Sequence, residues 1–167
     1  MNIRILNESD AHIYQELRLD ALKMNPEAFG STYEREVEFS LEMVMERIKP
    51  TKDKYIVGAF DHSGSLVGMV AFIRENDLKN RHKGNVFGMY IAPGSRGQGL
   101  GKALMKELIS RAKNCDGLEQ IKLTVVSDND HAKNLYKSLG FEIYGTERNA
   151  LKDQGHYFDE DLMVLSF

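Results

Sequence analysis

The sequence is short of the residues that staple or kink a small protein. Its 167 residues include one cysteine, three prolines and no tryptophan. A lone Cys115 cannot close an internal disulfide, and no Cys/His set has zinc-ligand spacing, so neither bridge nor metal nucleates the fold. Between Lys113 and Asp116, with no base adjacent, Cys115 reads as a half-buried filler and not as a nucleophile. No apolar run reaches bilayer length, and the stretch from Met1 to Glu8 lacks the apolar heart of a signal peptide. The expectation is a cytoplasmic protein with no membrane partner and no metal. Neither sign of charge predominates: 22 Lys and Arg against 25 Asp and Glu give −3. The cations are dispersed, so the clustered basic face of a nucleic-acid binder is missing.

What is present is ordinary soluble-domain composition, 42% hydrophobic and 28% charged, with a length that suits a single domain over residues 1–167. There is no repeat and no low-complexity linker. Pro26, Pro50 and Pro93 each fall at a boundary between patterned segments. Periodicity predicts a strand at 3–6, a helix at 10–24 with Ile13, Leu17 and Ala21 on one face, and an irregular stretch at 25–39. A helix at 41–48 follows, stopped before Pro50. Strands at 55–60 and 66–74 flank a hairpin turn, and a further strand at 85–91 runs into a glycine-rich turn. A helix at 99–113, a strand at 121–126, a helix at 129–139 closed by Gly140, and strands at 141–148 and 157–167 complete the chain. Antiparallel strands followed by a β–α–β–α–β run specify a mixed α/β fold. Its central mixed, mostly antiparallel sheet has about seven strands, with helices on both faces.

The chemistry concentrates in the glycine turn, Arg96-Gly97-Gln98-Gly99-Leu100-Gly101-Lys102. A P-loop would need Gly at position 96 and Ser or Thr at 103, where the chain has Arg96 and Ala103. A dinucleotide fingerprint would need a glycine at 102, which is Lys102, and a ribose-binding acid closing the next strand. With both excluded, an anion site remains. Glycines leave backbone amides open, the helix start carries partial positive charge, and Arg96 and Lys102 add formal charge.

On two blocks the chain resembles the GNAT superfamily of acetyl-CoA-dependent N-acetyltransferases. One is Gly88-Met89-Tyr90-Ile91-Ala92-Pro93 continuing through Arg96 to Leu104. The other is Val126, Asn129, Ala132, Leu135-Tyr136 and Leu139-Gly140-Phe141. Pro26 to Ser31 and Tyr157 to Met163 are similar to segments of small bacterial-type members. The resemblance implies a GNAT-like acyl-CoA N-acyltransferase fold with acetyl-CoA as donor. Met89, Tyr90 and Ile91 would pair with the pantetheine arm, and the amides from Arg96 to Lys102, with Gln98 and Leu100 among them, would hold the pyrophosphate. Asn129 and Ala132 would touch the cofactor, and Tyr136 would address the thioester sulfur.

The implied reaction is direct attack of a primary amine in a ternary complex, with the Met89 amide facing the developing oxyanion and Tyr136 as general acid. By its spacing alone Tyr136 is a core residue, sharing a stripe with Ala132, Leu135 and Leu139. The strand before the turn carries no carboxylate, so a water ordered by Asn85, or an acid from Glu34, Glu36, Asp159 or Glu160, would take the amine proton. Together these acids would favour a cationic acceptor. Acceptor contacts are expected from Phe29, Tyr33 and Glu36 of the irregular stretch, from Asn85 and from Tyr157. A small-molecule amine and a peptide amine are both open, as are acyl-chain length and a homodimer through the terminal strands. The alternative is a non-catalytic acyl-CoA-binding or sensing module on the same fold.

Overall fold

Four strands open the sheet in their order along the chain. In the computed structural model, which describes residues 1–167, these are β1 (Asn2–Ile5), β2 (Lys54–Phe60), β3 (Leu66–Arg74) and β4 (Lys83–Ile91), each antiparallel to the last. β5 (Gln120–Val126) lies parallel to β4 after a helical crossover, and β7 (His156–Ser166) and β6 (Glu142–Asp153) close the order β1-β2-β3-β4-β5-β7-β6. Every residue of β2 except Lys54 is buried, because helices cover both faces. Tyr55, Val57 and Ala59 join one core with α4 (Leu100–Lys113) and with Tyr136 of α5 (Asp130–Ser138). Ile56 and Phe60 join the other with α1 (Ala11–Met24) and α3 (Leu41–Ile48).

Three segments depart from the sequence reading. α1 buries Ala11, Tyr14, Leu17, Arg18, Ala21 and Leu22, so its inward face is rotated from the Ile13 side and includes a charge. The stretch 25–39 contains a 3-10 turn at Pro26–Ala28 and a short helix α2 (Tyr33–Glu36) capped by Thr32, elements too brief to show a period. β6 and β7 extend further than expected. Gln154 and Gly155 both have positive φ, which closes a tight two-residue hairpin turn.

What positions the site is a failure of pairing. β4 and β5 share only three register pairs, Lys83 with Gln120 through Asn85 with Lys122. Beyond them Gly88 adopts φ +61 and the β3–β4 register shifts between Met69 and Ala71. This bulge bends β4 away, and from Val86 to Ile91 its edge toward β5 carries no ladder. The two strands therefore splay apart beside Gly88.

Candidate active site

The splay opens a cleft of about 1280 Å³ that passes between the two halves of the sheet. On the α4 side the cleft meets the glycine turn. Pro93–Ser95 form a 3-10 turn, Gly97 and Gly99 have φ +77 and +78, and Gly99 caps α4 with no side-chain hydrogen bond to its first turn. The orphan amides of that turn thus stay available to a ligand. A β-carbon built on Gly97 or Gly99 meets nothing within 4 Å, so the turn is a concave, open cradle. Gly101 serves packing instead, lying against Met89 and Leu135. The Arg96 Nε donates to the Ile91 carbonyl oxygen (2.8 Å), and its Nη2 donates to Asn25 (3.2 Å). That clamp lays the guanidinium 5.4 Å from the Tyr90 ring centroid.

Further along, the Asn129 side chain accepts from the Ala132 amide (3.1 Å) and starts α5. The Tyr136 ring packs edge-on to Phe141, centroids 5.9 Å apart, inside the α4-side core. Yet Tyr136 also lines the cleft, and burial pushes its phenol up to about 12.

Strand alternation sorts the opposite mouth. Leu123 and Val125 point into the α4-side core, so Thr124 faces the α1 side, as does Phe87, which pairs with Ala71. Glu160 of β7 lies beside Thr124 (3.4 Å), and burial pushes its carboxyl up, helped by Glu147. Arg18 reaches the same mouth from α1. Its Nε and Nη2 donate to Glu36 at 2.9 Å each, and its guanidinium sits 4.9 Å over the Phe29 ring. Burial pushes the Glu36 carboxyl up, but Arg18, Ser31 and Arg47 outweigh it and hold it at about 2.

Met89, Tyr90, Ile91, Arg96, Gly97, Gly99, Leu100, Gly101, Lys102, Asn129, Ala132, Tyr136 and Phe29 all line the cleft, and Gln98 does not. Four expected acceptor residues also lie off its wall. Glu36 is fully buried and committed to two arginines, so it offers a ligand no direct contact. Asn85 donates to Glu75 (2.7 Å), where β4 is still laddered to β5. Tyr33 faces Lys23, and Tyr157 is 56% exposed beside Lys152. Arg18 was missed, although a charge four residues after Tyr14 and beside Leu17 on the buried stripe was its signal.

Comparison with known proteins settles the family. Residues 14–141 match the model of the acetyltransferase (GNAT) family. The chain belongs to that family, and so to the acetyl-CoA-dependent acyltransferases. It is 32% identical over 111 residues to the L-amino acid N-acetyltransferase AaaT of Escherichia coli, a match covering 66% of this chain and 67% of that protein. It is 28% identical over 111 residues to a Pseudomonas aeruginosa L-methionine sulfoximine/L-methionine sulfone acetyltransferase. That match covers 66% of this chain and 64% of the relative, so it spans less than two thirds of it. Among solved structures, a GNAT acetyltransferase from Streptococcus pneumoniae superposes with TM-score 0.88 at 23% identity, covering 99% of both chains. The Salmonella typhimurium protein yncA, solved with acetyl-CoA, gives TM-score 0.81 at 21% identity over 99% of this chain and 93% of that one. No helix is long and apolar enough to cross a membrane.

The glycine cradle yields a direct expectation. Gly99→Ala forces a β-carbon into the left-handed region at φ +78 and into the open cradle. The strain costs about 1–2 kcal/mol, or a Tm loss of roughly 2–8 °C. The KM for acetyl-CoA should rise about tenfold or more, since a blocked amide contact removes a charge-assisted hydrogen bond. Steady-state kinetics beside a thermal melt checks this, and an unchanged KM would take the cradle out of donor binding.

Proposed function

We propose that the chain transfers the acetyl group of acetyl-CoA to the primary amine of a small, amino-acid-like acceptor by direct attack in a ternary complex. The observation that carries this reading is the unladdered edge of β4 between the glycine cradle and Tyr136. Such an edge offers backbone groups to an extended pantetheine arm as a neighbouring strand would. The open cradle and its uncapped amides suit a pyrophosphate held without magnesium. The relatives named for L-amino acids and for L-methionine sulfone support the acceptor class.

In the proposed reaction the donor supplies an activated thioester. The amine nitrogen bonds to the acetyl carbon as the carbon–sulfur bond breaks. The Met89 amide, on the bulge, faces the oxygen that gains charge. Tyr136 gives its proton to the departing sulfur, and Glu160 receives the amine proton, its raised carboxyl making it the better base. A positive wall at Arg18 and Arg47 argues against the cationic acceptor that the acidic residues alone suggested.

An amine panel with acetyl-CoA, read by thiol release and by product mass, tests the reading. The expected result is one acetyl group gained by amino acids or their analogues. If acetyl-CoA binds but no amine on the panel releases thiol, the chain is an acyl-CoA-binding module instead.

A further inference from the structure

Two arginines share one carboxylate on the α1 wall of the cleft. Glu36 accepts from Arg18 twice and from Arg47 Nη1 at 2.7 Å. The triad of side chains therefore keeps one net positive charge, and both arginines line the cleft. Arg18 is 7% exposed and paired with Glu36, so it is held in a single place while the pair of arginines keeps a surplus positive charge at the wall. Its Nε and Nη2 are spent on Glu36, whereas the N–H groups of Nη1 meet no protein acceptor. Nη1 abuts the β4 bulge, where a β-carbon on Gly88 would come within 3.2 Å of it. The Phe29 ring, 4.9 Å from the guanidinium, steadies it by a cation–π contact.

We propose that Arg18, clamped by Glu36, anchors the carboxylate of an α-amino acid acceptor through its free Nη1 edge. This rests on the acetyl-transfer reading above and specifies its acceptor. The anchor lies against the bulge that would also hold the thioester, so amine and carboxylate must be close neighbours in the acceptor. One intervening carbon meets that need, and a γ-amino acid or a polyamine does not. Glu160 and Thr124, paired with each other, line the same cleft and suit the ammonium end of the same zwitterion. Phe87, Phe158, Leu151 and Ile73 supply an apolar wall, which suits an acceptor with an apolar side chain. Arg18 thus determines specificity, and Glu36 is the positioning residue behind it.

The test compares L-methionine, L-methioninamide and 3-(methylthio)propylamine as acceptors. The wild-type protein should prefer L-methionine over its amide by about 100-fold in kcat/KM, since a neutral amide offers the free Nη1 edge no charge-assisted hydrogen bond. In Arg18→Gln the acid-to-amide ratio should fall below about five, with most of the loss in KM. Arg18→Lys should recover only part of it, because a point charge cannot keep the two-pronged Glu36 contact. Equal use of acid and amide by the wild-type protein overturns the anchor and leaves acetyl transfer standing. If no amine turns over, titration calorimetry with N-acetyl-L-methionine and its amide in the presence of CoA still decides. At least tenfold tighter binding of the acid, lost in Arg18→Gln, supports the anchor, and equal binding refutes it.

Discussion

Tyr136→Phe is expected to lower kcat by about 10²- to 10⁴-fold with little change in the KM for acetyl-CoA. The substitution isolates one proton. The ring's edge contact with Phe141 survives, so the core around α5 keeps its packing and Tm should hold. At first sight a phenol raised to about 12 is a poor acid for a thiolate whose conjugate acid lies near 8.5. But both groups become anions on losing a proton, and the burial that raises the phenol raises a thiol in the same cleft. Their separation stays near the roughly 1.5 units of water, a gap of about 2 kcal/mol. A phenol at about 12 is also fully protonated throughout the working range. The acid is lost only as pH rises through that value, so kcat should climb with pH as the acceptor ammonium deprotonates. No basic limb should follow below pH of about 10. Unchanged kcat in the variant, or a fall in wild-type kcat near neutral pH, would remove Tyr136 from the chemistry.

The halves of this site were unequally legible in the sequence. The donor half is local. Gly97, Gly99, Asn129 and Tyr136 lie within two contiguous stretches whose spacing fixes a turn, a cap and a helix face, so short-range patterns expose them. The acceptor half is assembled from segments far apart in the chain. Arg18 meets Glu36 eighteen residues later, and Glu160 meets Thr124 across 36. No periodicity encodes such pairings. What the sequence did carry was an anomaly, a charged residue on the buried stripe of α1, which has meaning only once its partner is known. Glu36 shows the converse. Its carboxylate looked like a surface acid open to a ligand, and burial between two guanidiniums converts it into scaffold. The splay of β4 from β5 was partly visible, because a glycine inside a strand marks a bulge or a close approach. The extent of the lost ladder depends on register and so appears only in three dimensions.

Glu36→Gln is expected to be the most destabilising single change near the cleft. It leaves Arg18 and Arg47 facing each other across a neutral amide, and breaking a buried pair in this way costs about 3–5 kcal/mol. For a chain of this length that is a Tm loss of roughly 6–20 °C. The same carboxylate writes a signature in pH. Its folded value of about 2 lies below the usual 4.5, so the unfolded chain binds the proton more readily. The stability Glu36 contributes is therefore complete above about 4.5 and drains away as pH falls toward 2, about 3 kcal/mol in all. Asp161, also held at about 2 by Lys133 and Ser127, drains stability over the same window, so wild-type acid lability alone does not identify Glu36. The difference between wild type and Glu36→Gln does. Urea titrations from pH 7 to 3 should show the gap in stability narrowing as the pH drops. If the gap stays constant, the carboxylate is not the group titrating, and if no gap exists at pH 7 the triad is not holding the wall. Should the wall depend on Glu36 as the geometry requires, the surviving activity of the variant will show its loss chiefly in the acceptor KM. With the clamp gone, Arg18 keeps its charge but not its aim.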